Sequence, residues 1–266
     1  MTELRYLDSH LHLTDPRFNG IREAILLRAR EAGVVKMFCN ATREEDWRQT
    51  LALASASIVP FIGIHPWYCS TVERDWERRL AEILQTTTCG IGETGLDKKC
   101  AGDMVRQIET FTAQLQLAVA FRRPLTVHCL GCWGKLLEIL ELQTKTAPLP
   151  PIMIHSFGGS QEIMRRLVRL GCLLSFSARL AAPGQEALRQ VFQETPMPHI
   201  LLETDAPDQL QTGINPGTPE PSATNEPAYI VALYGFAANL HHMELQDFCS
   251  QIWQNGTVFT DSTLPR

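Results

Sequence analysis

The sequence predicts an α/β fold, a single (β/α)8 TIM barrel running through residues 1–266. Three observations point to it. Eight short apolar, β-branched runs recur along the chain, each closing on polar residues. Between them lie stretches whose apolar residues fall at helical spacing. Histidines and carboxylates gather at the C-terminal ends of the runs, where barrel enzymes carry their chemistry.

The first run is Tyr6–Leu13 (YLDSHLHL), followed by the helical stretch Ile21–Ala32 and by Gly33, suited to the left-handed backbone of a helix C-terminus. Val34–Ala41, Val59–Pro66 and Gly90–Asp97 are the next three runs. The helix Met104–Phe121 leads into Leu125–Cys129, and Ile152–Phe157 follows. The helix Gln161–Leu170, with Gly171 behind it, precedes Cys172–Ser177 and Ile200–Pro207. Uninterrupted apolar strands alternating with helices mark a parallel sheet covered on both faces. Eight units at a repeat of roughly 30 residues suit a closed barrel. No GxGxxG follows the first run, which argues against a dinucleotide fold. Pro207–Pro227, rich in Pro, Gly, Thr and Gln, is expected to be a long loop, and Asn225–Leu240 and Leu245–Asn255 to be closing helices.

A chain of 266 residues buries roughly three quarters of its extended surface and needs no disulfides. Its eight cysteines are scattered, several inside apolar runs, and are expected as reduced core thiols. The net charge of −5 argues against a broad basic face that coats long nucleic acid. It leaves room for a site holding one or a few phosphates. With no charged-then-apolar leader and no run of membrane-span length, the expected location is cytoplasmic, without membrane association or an obligate protein partner.

His10 and His12 end run one, His65 run three, Glu93 run four, and His128, His155 and Asp205 runs five, six and eight. The spacing His10-x-His12 is informative because strand side chains alternate faces, so both imidazoles point into the barrel mouth. Two neutral imidazoles opposite a carboxylate suit a borderline divalent cation such as Zn²⁺ or Mn²⁺. Taken singly, each residue has a plainer role: a strand histidine is more often a hydrogen-bonded core residue, and Asp205 alone would serve as a helix cap. Five of only eight histidines fall at strand ends, however. So many buried titratable groups converging on one mouth without a metal would be costly.

Weaker candidates surround them. Arg43, Lys98, Lys99 and Arg179 follow strand ends within reach of phosphates, though solvated charge is the commoner role. Gly158–Ser160 opens a helix whose free N–H groups suit an anion as well as a simple cap. Trp67, Tyr68 and Trp133 offer planes for unpaired bases or merely pack on the rim. Glu203 is expected to face away from the metals. Cys129-x-x-Cys132 lacks a second pair, so coincidence outweighs redox chemistry. The pair His241-His242 is expected to lie exposed near a helix end.

Taken together, DSHLH (Asp8–His12), GIHPW (Gly63–Trp67), GETGLD (Gly92–Asp97), FTAQLQLA (Phe111–Ala118) and VHC (Val127–Cys129) stand in order along the chain. HSFGGS (His155–Ser160), ETDAP (Glu203–Pro207) and NEP (Asn225–Pro227) continue the series. In these motifs the chain resembles the TatD family of metal-dependent deoxyribonucleases, within the amidohydrolase-like barrels. The resemblance implies two divalent metal ions, Zn²⁺, Mn²⁺ or Mg²⁺. His10, His12, Glu93 and Asp205 would hold one, and Glu93, His128 and His155 the other, with Glu93 bridging. His65 matches a position that contacts the substrate phosphate. The implied activity is hydrolysis of DNA phosphodiesters, often trimming from the 3′ end, with DNA ends or short single strands as substrate. Paired ions polarise a phosphoryl oxygen and lower the pKa of water to about 7, and Asp205 is the natural group to orient that water and take its proton.

Two positions depart from the family pattern. Leu130 stands where many relatives carry arginine two residues after the fifth-strand histidine, and Thr224 where they often place arginine before the Asn of NEP. Both departures remove a donor fork for phosphate and leave the metal ligands intact. The rival enzyme class is an amidohydrolase or lactonase using the same metals on a carbonyl. A carboxylated lysine on the fourth strand would favour that class, but Glu93 occupies the position. A non-catalytic scaffold is the third reading, against which the complete ligand set speaks.

Overall fold

A computed structural model describes residues 4–100, 102–210 and 224–261. Eight parallel strands form one sheet in chain order: β1 (Tyr6–Leu11), β2 (Val34–Asn40), β3 (Ile58–Ile62), β4 (Gly90–Asp97), β5 (Leu125–Leu130), β6 (Ile152–Ile154), β7 (Leu173–Phe176) and β8 (Ile200–Leu202). The seam between first and last is closed beyond β8. There the Asp205 N–H donates to His10 O at 2.9 Å and the His12 N–H to Ala206 O at 2.7 Å. The helices between strands are α1 (Arg22–Glu31), α2 (Glu44–Ala52), α3 (Trp76–Thr86), α4 (Met104–Phe121), α5 (Trp133–Thr144), α6 (Gln161–Arg169) and α7 (Glu186–Glu194). Gly33 and Gly171 take positive φ directly after α1 and α6, as their places in the sequence predict.

Two C-terminal helices finish the wall. Ahead of α8 (Ile230–Leu240) the expected helix start at Asn225 is replaced by a 3₁₀ turn, Pro227–Tyr229. Asn225 is held back because its side-chain amide donates to Thr204 O and Asp208 O, both at 2.7 Å. Buried Tyr234 of α8 pins β1, its hydroxyl donating to Leu7 O at 2.9 Å and accepting from Leu7 N–H at 3.1 Å. The helix α9 (Leu245–Thr260) lies so close to β1 that a Cβ on Gly256 would collide with Leu7. Residues 211–223, most of the expected Pro207–Pro227 loop, lie outside the described residues. No helix among the described residues is long and apolar enough to cross a membrane.

Several apolar runs of the sequence outlast their strands. β6 stops at Ile154 and β8 at Leu202, three and five residues before their runs end, and β3 stops at Ile62. Beyond these points the chain turns across the mouth, with Ser156 and Asp205 at positive φ. Several polar residues of the mouth thus sit on the lip just past the ladder.

Candidate metal centre

The pleat of β1 sends His10 and His12 to the same side, their Nε2 atoms 3.2 Å apart. Both face Glu93 Oε2 at 3.4 Å, and they face Asp205 Oδ1 at 3.5 and 3.4 Å respectively. A tetrahedron of metal–ligand bonds near 2.0–2.1 Å has edges of about 3.3–3.4 Å. These five separations therefore have the spacing of one divalent-cation shell.

The other oxygen of Glu93 serves a second group. Oε1 lies 2.9 Å from His155 Nε2, 3.1 Å from His128 Nδ1 and 3.2 Å from His65 Nε2. His128 Nδ1 and His155 Nε2 are themselves 3.1 Å apart.

The far nitrogens of these rings decide what the near ones can do. His12 Nδ1 donates to Asn40 O at 3.0 Å, and His155 Nδ1 faces Glu203 Oε1 at 3.3 Å. His128 Nε2 faces Asp97 Oδ2 at 3.4 Å, a charge contact outside good hydrogen-bond geometry. In each ring the proton is drawn outward, and the inner nitrogen keeps its lone pair for a cation. His65 is wired the opposite way. Its Nδ1 accepts the Trp67 N–H at 3.2 Å, so in the neutral ring Nε2 carries the proton. Burial holds His65 down to about 4, hence neutral. By proximity alone His65 groups with Glu93 and His128 as ligands. The tautomer makes it a donor instead.

Electrostatics show how strongly the centre wants positive charge. Burial works against ionised Glu93, but His155, His65 and His10 around it hold its carboxyl well below the usual range. Burial likewise disfavours charge on His12, yet Asp205 and Glu93 beside it push it up to about 9. Asp205 resists burial through His12, His155 and His10 and stays ionised. Without a cation, protons on the imidazoles balance buried carboxylates, and His10 Nδ1 and Glu203 Oε2 are buried without hydrogen-bond partners among the described residues. This donor set fits divalent cations.

Positioning falls to residues that sequence reasoning passed over. On α4, Gln107 and Gln114 stand seven apart on one buried face. Gln114 brackets Ile64, accepting from its N–H at 2.8 Å and donating to its carbonyl at 3.0 Å, and so fixes the approach to His65. Gln107 does the same for Asp97, at 2.8 and 3.1 Å. Asp8 ties β1 to the lip after β8, accepting from the Thr204 hydroxyl at 2.5 Å and its N–H at 3.0 Å. Burial pushes its carboxyl up to about 8. Gln209 Nε2 donates to Asp205 Oδ2 at 2.5 Å. A usable signal was present: period two from Glu93 puts Asp97 on the same face, as it puts Asp8 with His10.

A cavity of about 390 Å³ opens above the centre. Its wall includes Arg43, Trp67, Tyr68, Leu130 and Arg179. Arg43 pairs with Asp46 at 3.4 Å and lies over Tyr68, whereas Arg179 makes no ion pair among the described residues. Lys98 and Lys99 are exposed and outside the cavity wall. Glu203 lies behind His155, as expected, and accepts the Ser156 N–H at 2.7 Å. Trp133 packs on Phe157 instead of standing on the rim, and Ser160 caps α6. Cys129 and Cys132 are free, and burial raises both thiols. His242 is exposed, but His241 is half-buried against Phe192, because the end of α8 turns it into an aromatic cluster.

A family model described as TatD related DNase matches residues 7–259. The chain belongs to the TatD family. Among relatives, an Escherichia coli (strain K12) protein described as the metal-dependent hydrolase YjjV is 32% identical over 82% of this chain and 86% of its own length. A Pantoea ananatis protein described as the 3'-5' ssDNA/RNA exonuclease TatD is 30% identical, covering 93% of this chain and 96% of its own. The crystal structure of YjjV, a TatD homologue from Escherichia coli K12, superposes with a TM-score of 0.87 at 27% identity, covering 98% of this chain and 99% of that one. As a TatD family member the chain is a metal-dependent hydrolase on a (β/α)8 barrel, and the expectations for fold and family hold.

Proposed function

We propose that this chain is a two-metal phosphodiesterase that trims single-stranded DNA or RNA from an end. The observation that carries the reading is the division of Glu93, one oxygen turned to His10 and His12, which also face Asp205, and the other to His128 and His155. We assign His10, His12, Glu93 and Asp205 to one cation and Glu93, His128 and His155 to the other. Two divalent ions there, Zn²⁺, Mn²⁺ or Mg²⁺, would supply positive charge against a phosphoryl oxygen and lower the pKa of water toward about 7.

The chain's own groups do the rest. Ionised Asp205, steadied by Gln209, accepts the proton of the attacking water at Oδ2. The His65 Nε2–H donates to a phosphate oxygen, and Arg179 supplies an uncompensated positive charge on the cavity wall. Two carboxylates offset only half the charge of two dications, so the mouth favours an anion inside an acidic protein. We assign the enzyme to the cytosol, in keeping with its free, mostly buried thiols.

The test is metal-free protein on end-labelled single-stranded DNA, with Mg²⁺, Mn²⁺ or Zn²⁺ restored, beside Asp205→Ala. Metal-dependent shortening is expected, reduced by about 10²–10⁴ in the variant, as for loss of a general base. Amide or lactone turnover with no shortening of DNA, by protein carrying two ions, would overturn the reading.

A further inference from the structure

We propose that Trp67 and Leu130 form a nucleobase subsite on the rim beside the cations, taking the terminal base of an unpaired strand. The inference rests on the phosphodiesterase reading and narrows its substrate. Trp67 is 60% exposed, far more than an indole recruited for packing. Yet it is fastened at two points. Its Nε1–H donates to Asp97 Oδ2 at 2.8 Å, and its backbone N–H to His65 Nδ1 at 3.2 Å. Asp97 is only 2% exposed and is itself fixed, accepting the Lys99 N–H at 2.7 Å. A solvent-facing ring held by its polar edge to a buried carboxylate has already lost the freedom that binding would otherwise cost. Neither cation–ring contact among the described residues involves this ring.

Leu130 completes the surface. It pairs with Asp97 across β4 and β5, so it and Trp67 flank one residue, and both line the cavity. It is 38% exposed, an apolar side chain presented to solvent at the rim of the cavity. On this side of the mouth, recognition passes from charge to stacking. The indole meets His65 edge to face at 4.7 Å, which seats a stacked base within one nucleotide of the bond to be cut. Every base has a π-face, so the subsite tolerates any sequence but needs a face not buried in a duplex. The preference is therefore for single strands or frayed ends.

The experiment is calorimetric binding to the manganese-loaded protein. The probes are a phosphorothioate-linked thymidine dinucleotide and two analogues, abasic at the 3′ or the 5′ residue. Wild type should favour the intact dinucleotide over one analogue by about tenfold or more. Trp67→Ala should lose that preference by binding the intact compound more weakly, and Trp67→Phe should retain most of it. Equal affinity of wild type for all three compounds overturns the subsite and leaves the phosphodiesterase reading standing. Trp67→Ala weakening all three alike makes the indole a mere brace for Asp97, and also overturns it. No affinity for any of them removes the parent reading and the subsite together.

Discussion

His12 and His155 are held by the nitrogens they do not offer. Glu203, fully buried, holds His155 while also accepting the Ser156 N–H, so it sets both ring orientation and the turn that follows β6. Glu203→Gln keeps the shape and removes the charge behind the ring. It should weaken the cation assigned to Glu93, His128 and His155 by about 10- to 100-fold and leave the other largely unchanged. Calorimetric titration of metal-free protein would then resolve one tight and one weak ion; two unaltered affinities would sink the assignment. At this scale the histidines were legible because imidazole is scarce and its strand-end placement unusual. Asn40 and Gln114 were not, because they act through backbone atoms that a one-dimensional reading does not bring together.

Strands and helices were legible wherever apolar periodicity alone decides them. β4 and α4 coincide with their expected bounds, since each begins and ends where its pattern does. The ends of β6 and β8 were not legible, because apolar lip residues prolong the run after the ladder has stopped. Backbone shape within elements can be tested by paired glycines. In β4, Gly95 has φ +141°, and a Cβ there would strike the backbone carbonyl of His128. Gly235 in α8 has nothing near its would-be Cβ. Gly95→Ala should cost more than about 2 kcal/mol, whereas Gly235→Ala should gain about 0.5–1 kcal/mol. Urea midpoints read both, and similar shifts in the two variants would contradict the tight fit of β4 on β5.

For the molecule as a whole, metal and proton compete for one charge balance. An unfolded histidine titrates near 6.5, roughly, whereas His12 in the metal-free fold is pushed up to about 9. Its proton therefore stabilises the metal-free fold fully below about pH 6.5, and that contribution is lost as pH rises through about 9. Asp8, raised to about 8 by burial, acts in the same direction. On the assignment of His12 as a ligand, a cation displaces its proton, so affinity should climb over the same window. Melting curves between pH 6 and 9.5 should show the chelated protein losing Tm with rising pH while the manganese-loaded protein holds its own. A constant gap between the two would rule the coupling out. The global charge of −5 hid all of this, since it averages a surface against a mouth designed for dications. The seam has a consequence during synthesis. His10 and His12 leave the ribosome almost 200 residues ahead of Asp205, which hydrogen-bonds beside them. Until β8 docks, the residues assigned to that cation are short of Asp205, so on this assignment ion capture would mark the moment of closure, and a chain ending before β8 would fail to load.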